Sequence, residues 1–181
     1  MASDVLSTLR HYDAIRELVL WYNTRNEAGV IPAQLQVDAV NALESVVEKH
    51  SLRRSSPSPQ FIEQVLESTS RPFVISQSLE ARDFHILCSG ENLRFETIGF
   101  ILATAGRSLS FGIVPENFSD PANRGARSRF IDELLRASTT CLFLTTMLAT
   151  VNDVTIWMYH ENCLFTIMVC GYTGTSNPLI H

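Results

Sequence analysis

Residues 90–109 read GENLRFETIGFILATAGRSL, and their pattern decides the fold. Gly90-Glu91-Asn92 opens a long helix, along which the apolar residues Ile98, Ile101, Leu102, Ala105 and Leu109 recur at steps of three and four. That spacing puts them on one stripe of a helix. A second stripe on the same segment is small: Gly99, Ala103 and Gly106. Glycine inside a helix costs about 1 kcal/mol relative to alanine. Two of them on one face point to a neighbouring helix that approaches closely there; the bland alternative is a mobile helix that tolerates them.

The same periodicity extends in both directions. Val5, Leu9, Tyr12, Ile15, Val19 and Tyr22 form a first stripe, with Ser3 as expected N-cap and Gly29 as expected stop. Pro32 sits where a first helical turn tolerates proline. Leu35, Ala39, Leu43 and Val46 carry the next helix to about His50, and the short link makes the two antiparallel. Residues 51–59 (Ser-Leu-Arg-Arg-Ser-Ser-Pro-Ser-Pro) read as an exposed, flexible loop, with Arg53-Arg54 a solvated basic pair rather than a localisation signal. A short helix follows from Gln60 to about Ser68 and ends at Arg71-Pro72. Downstream of the 115–125 loop, Phe130, Leu134, Ala137, Cys141, Leu144 and Leu148 make one stripe. Asn152-Asp153 separates it from a last one at Val154, Trp157, Met158, Glu161, Leu164, Phe165 and Met168. The best strand candidate, Phe73-Val74-Ile75, is too short to found a sheet. The expected architecture is all-α: a stacked antiparallel helical array in a single domain over 1–181.

Composition narrows the function. The 181 residues include 14 Lys+Arg and 19 Asp+Glu, giving a formal charge of −5. Such a chain lacks the basic footprint of a duplex binder. Charged residues are 18% of the chain, against about 25% in ordinary domains, which implies that more of the surface than usual is covered. The uncharged run Ala137–Asn152 is short of the ~20 apolar residues of a membrane span and reads as a buried helix. Met1-Ala2-Ser3-Asp4 does not begin a secretory leader, so reduced thiols are expected and the sequon Asn117-Phe118-Ser119 carries little meaning. Cys88, Cys141, Cys163 and Cys170 lack the close spacing of a zinc module.

No catalytic, cofactor-binding or metal-binding set emerges. His160 and Cys163 are three apart on a helix but supply only two ligands. Asp83 and His85 flank Phe84 in a loop, where capping is the plainer role than acid–base work. Glu161 is more informative because it interrupts an apolar stripe. A buried carboxylate needs a partner. It is either an interhelical anchor, with Arg94, Arg107 or Arg136 as candidate partners, or the polar group of a ligand cavity.

Three strings follow one another in order: Asp83-Phe84-His85; Gly90-Glu91-Asn92-Leu93-Arg94-Phe95-Glu96-Thr97-Ile98-Gly99, with Ala105-Gly106-Arg107 beyond it; and Asn152-Asp153-Val154 through Trp157 to Glu161-Asn162. The succession resembles the regulatory domain (middle homology region) of fungal zinc-cluster transcription factors. The opening Leu18 to Leu43, with Val30-Ile31-Pro32 before a helix, looks like the family's lead-in, so the resemblance covers most of the chain and matches the N-terminal half of that larger helical domain. The family's six-cysteine binuclear zinc cluster has no counterpart here. The family domain also runs on for further helices, so a truncated gene product or a short paralogue is expected. The resemblance implies a nuclear regulator that acts through protein partners, other transcription regulators or the rest of a parent factor among them, or through a small-molecule effector. It implies no catalytic residue, no direct nucleic-acid contact by this chain and no membrane. The rival readings are a small ligand-binding protein or enzyme, with an apolar pocket around Glu161 formed by Trp157, Phe165, Met168 and the Gly99/Gly106 face, and a truncated product without function.

Overall fold

The computed structural model describes residues 1–25, 29–72 and 79–173. They form seven helices: α1 (Ala2–Ser7), α2 (Tyr12–Asn23), α3 (Ala33–Lys49), α4 (Pro59–Ser70), α5 (Phe95–Phe111), α6 (Arg124–Leu148) and α7 (Asp153–Thr173). No strand occurs among the described residues, and the fold is all-α. The strand candidate Phe73-Val74-Ile75 lies outside them.

The architecture is organised around α5. From Phe95 to Leu109 every residue of this helix is buried. Helices α2, α3, α4, α6 and α7 all pack against it. A helix buried all round cannot be amphipathic in the ordinary sense, and the small residues Gly99, Ala103, Ala105 and Gly106 let neighbours approach on the sides where α5 lacks bulk. A Cβ on Gly99 would lie 2.6 Å from the Met158 sulfur and 2.9 Å from Cys141 Cβ. One on Gly106 would meet the ring of Phe165. Close packing is therefore the reason for both glycines: α7 comes close at both, and α6, through Cys141, also at Gly99.

Local chemistry fixes several helix ends. Ser58 accepts the amide of Phe61 at 3.2 Å and caps α4, with Pro59 in the first turn. Extended backbone at Arg71, just before Pro72, ends it. At the end of α3, Ser51 takes a φ of 52°, and the amides of Ser51 and Leu52 return to the carbonyls of Glu48 and Val47 at 3.0 and 2.9 Å. This is a Schellman closure, which drives the next apolar residue, Leu52, back onto the core.

That closure changes the picture of the 51–59 loop. Leu52 is buried, and Arg53 is held by Asp13 at 2.7 Å and by Glu44, while Arg54, Ser55 and Ser56 are exposed. Four further details depart from the sequence expectations. The first helix is interrupted by a tighter 3-10 turn at Thr8–His11 and ends at Asn23, well before Gly29. Its start is Ala2 rather than a Ser3 cap, because the Met1 carbonyl already accepts the amides of Asp4 and Val5. Pro32 precedes α3 as its cap residue instead of lying in its first turn. Finally, Gly90–Asn92 is a separate turn, since extended backbone at Arg94 delays α5 to Phe95.

Helix α6 also starts earlier than its apolar stripe, at Arg124. Its C-terminal half is one-sided, not buried: Cys141 and Thr145 face the core, while Phe143 and Met147 are 52% and 69% exposed. No described helix is long and apolar enough to cross a membrane.

Two predictions follow from this packing. Gly106→Ala is expected to cost roughly 1–3 kcal/mol despite alanine's better helix propensity, because the new methyl has no room beside the fully buried Phe165. Chemical denaturation reads the cost, and Phe165→Leu in the same chain should recover part of it. The second concerns acid. His11 and His50 are both held below the usual 6.5, in each case chiefly by burial; His50 is stacked 4.0 Å from Phe61. Their folded forms favour the neutral ring, so below 6.5 the unfolded chain binds more protons. Stability is complete above that pH and falls as the pH drops through the lower folded values. Asp13, lowered by its hydrogen bond from Arg53, adds a further loss below its usual 3.8. The urea midpoint should fall between about pH 7.5 and about pH 5, and His50→Asn should flatten that slope.

Candidate functional site

The polar residues that α5 carries into the core define the site, and they form two clusters, one near each end of its buried stretch. The first begins with Arg94, immediately before α5. Its Nε and Nη2 donate to Glu96 Oε1 at 3.2 and 2.9 Å. The same guanidinium donates to the carbonyls of Ser68, Thr69 (2.7 Å) and Arg71 (2.9 Å). These are carbonyls at the end of α4 that no helical amide can reach, and a cation there also complements the negative end of the helix dipole. Thr69 adds a second tie by accepting the Phe95 amide at 3.0 Å.

Glu96 lies in the first turn of α5, where negative charge is favoured, and its side chain is fully buried. Asn152 donates to the same Oε1 at 3.3 Å. With its other side-chain atom Asn152 accepts the Thr155 amide at 3.0 Å, and Thr155 Oγ1 accepts the Asn152 amide at 3.3 Å. This reciprocal pair caps α7. The Arg94–Glu96–Asn152 cluster thus joins the end of α4, the start of α5 and the start of α7. Glu96 Oε2 has no hydrogen-bond partner.

The second cluster lies three turns further along α5. Arg107 Nη1 donates to Glu161 Oε2 on α7, with both side chains almost wholly enclosed. His160 Nδ1 stands 3.3 Å from the other carboxylate oxygen. The Arg107 guanidinium also lies 5.3 Å from the centre of the Tyr22 ring on α2 and 5.9 Å from that of Phe111, within cation–π range. Next to the second cluster, Asn162 donates to Ser138 Oγ at 2.9 Å and links α7 to α6.

Of the three arginines expected as partners of Glu161, Arg107 is the one it meets; Arg94 belongs to the other cluster, and Arg136 is on the exposed face of α6. The space beside Gly99 and Gly106 is occupied by Met158 and Phe165, so Glu161 faces a cation and packed side chains. His160 and Cys163 diverge: His160 turns to Glu161, whereas Cys163 is exposed on the outer side of α7. Asp83 and His85 lie on the Ala81–Leu87 turn, where the His85 carbonyl accepts the Cys88 amide and the Ser89 hydroxyl. No group of three or more His, Cys, Asp or Glu that could hold a metal occurs among the described residues.

The core thiols are poor nucleophiles. Burial pushes Cys88 up to about 11 and Cys141 well above its usual value, so neither forms a thiolate at neutral pH. A surface depression of about 400 Å³ lies away from both clusters, between α1 and α6, and is lined by Asp4, Thr8, Arg10, Glu133 and Arg136, with Arg10 and Glu133 paired at 2.8 Å. What the two buried clusters do well is hold α7 in one register on α5.

The Arg94–Glu96–Asn152 cluster was not anticipated from sequence. The cue was available: Glu96 sits among Phe95, Ile98 and Phe100, a position no less conspicuous than that of Glu161. Compared with protein-family models, curated proteins and solved structures, the chain matches none of them.

Removing one member of the second pair should expose its worth. Arg107→Met is expected to cost about 3–5 kcal/mol by leaving Glu161 buried without its cation, and Glu161→Gln to cost less but in the same direction. Arg107→Met with Glu161→Leu should cost less than Arg107→Met alone. A double-mutant cycle by urea denaturation measures the coupling.

Proposed function

We propose that this chain is a regulatory helical module of the kind carried by fungal zinc-cluster transcription factors, acting in the nucleus through protein contacts or a small effector and leaving DNA binding to another polypeptide or domain. One observation supports this reading best. Several of the residues that carry the resemblance meet in the interior: Arg94, Glu96 and Asn152 in one cluster, Arg107 and Glu161 in the other, and Gly99 and Gly106 against α7. A motif set scattered over some seventy residues of sequence thus lies along one interface, α5 with α7. Buried ion pairs serve best as register-setting devices, and a regulator needs helices that hold one of two packed arrangements. The formal charge of −5 agrees with a role away from phosphate.

The test has two arms. In a gel-shift titration at low salt, the isolated chain is expected to leave duplex DNA unshifted; tight, salt-sensitive binding overturns the assignment. Placed between an unrelated DNA-binding domain and an activation segment, the chain is expected to change reporter output relative to an inert helical spacer, and Arg107→Met to abolish the difference. Output equal to that of the inert spacer overturns the regulatory role.

A further inference from the structure

The outward face of the α6–α7 hairpin is unlike the rest of the surface. Of the eleven large apolar side chains exposed among the described residues, seven lie on this hairpin or its link: Phe143, Met147, Leu148, Val151, Ile156, Tyr159 and Ile167. On α7 the exposed residues Ile156, Tyr159, Cys163, Ile167 and Cys170 recur at steps of three and four, on the side opposite Val154, Met158 and Phe165. On α6, Phe143 and Met147 lie opposite Cys141 and Thr145. The two stripes adjoin, because the hydroxyls of Thr146 and Tyr159 are 2.7 Å apart.

We propose that this face is the interface of a two-fold dimer, with a second copy of the chain as its occupant and α7 packed antiparallel against its symmetry mate. Three properties select a second copy. The first is area. Side chains of this size carry about 150–250 Å² each, and these are roughly half exposed. The patch therefore comes to roughly 500–900 Å², a range that includes the ~800 Å² each partner gives to a standard interface and extends beyond the ~300–600 Å² patch of an ordinary monomer.

The second is charge. No Asp, Glu, Lys or Arg occurs from Ala137 to Asn152, and between Val154 and Thr173 there is only Glu161, which is buried. Two copies carrying −5 each repel through most of their surface. This face is where they meet without opposing like charges.

The third is register. The α7 stripe is symmetric in spacing about Cys163. Four residues to either side lie Tyr159 and Ile167, and seven to either side lie Ile156 and Cys170. In an antiparallel pair centred on Cys163, Tyr159 faces Ile167 of the other copy and Ile156 faces its Cys170. The small residue falls at the two-fold axis, where the helices are closest, and Phe143 and Met147 cover the flanks. An isologous contact requires this self-complementarity; a foreign partner does not.

Sedimentation equilibrium on the full chain over a range of concentrations tests the idea. A species of twice the 20.3 kDa chain mass is expected. Ile167→Asp and Phe143→Asp, both at exposed positions, should raise the dimer dissociation constant by roughly tenfold or more with unchanged helical circular dichroism. A short bismaleimide should join two copies through Cys163 in a Cys170→Ser background, and Cys163→Ser should remove that product. A monomer at every concentration overturns the proposal, whether or not it takes up some other apolar helix. So does a dimer indifferent to both aspartate variants and uncrosslinked at Cys163.

Discussion

The structure depends on one constraint: α5 is buried on every side, so each polar atom it carries must be satisfied inside the protein. The sequence places two charged residues within that buried stretch, Glu96 and Arg107, and a third, Arg94, at its entrance. A lone charge there is costly enough to unfold a marginal domain. The fold answers by bringing α4 and α7 to the two ends of α5. Arg94 is oriented by the carbonyls that end α4, Glu96 by Arg94 and Asn152, and Arg107 by Glu161. The rest of the arrangement follows, because once α7 is held at its start and at its middle, Met158 and Phe165 come to lie over Gly99 and Gly106.

How much of this can be read from the residues alone depends on whether the signal is local. The Glu161 anchor was legible because a carboxylate in an apolar stripe is conspicuous whatever packs on it. The glycines were legible for the same reason, since a small stripe predicts a close neighbour without naming it. The ends at His50 and Arg71-Pro72 were legible as local backbone chemistry. Other features are set by partners distant in sequence. Leu52 and Arg53 look like loop residues until the closure of α3 aims one at the core and places the other beside Asp13. The run 137–152 looked fully buried because it has no charge. Absence of charge, however, does not separate a core helix from a helix with one apolar face turned outward, and periodicity cannot tell two apolar faces apart when both are present.

The two ion pairs also bear on motion. A rigid apolar contact between α5 and α7 would tolerate small sliding, because dispersion is non-directional. The hydrogen-bonded pairs do not. A shift of α7 by a single helical turn would separate Arg107 from Glu161 and Asn152 from Glu96 together, and would drive Met158 and Phe165 off the glycines. Intermediate positions are therefore poor, and the interface behaves as a detent with discrete settings rather than a continuous slide. Glu96 Oε2 and Arg107 Nε, both buried without partners, show that the present setting is not fully satisfied.

Helix α7 carries both properties on opposite faces. Its inner side holds Met158, Glu161 and Phe165 against α5, and its outer side exposes Ile156, Tyr159, Cys163 and Ile167. Only about one helix diameter separates the two, roughly 10 Å. Anything seated on the outer stripe has to accept the tilt and rotation of α7 that the inner pairs dictate, and any change in the inner pairs re-aims the outer stripe. Coupling of this kind needs no chain of intermediaries, since a single rigid helix is the connecting part. In the proposed dimer, assembly through the outer face is thereby linked to how α7 sits on α5, so a partner that favours one placement of α7 alters, by linkage, the strength of the other contact.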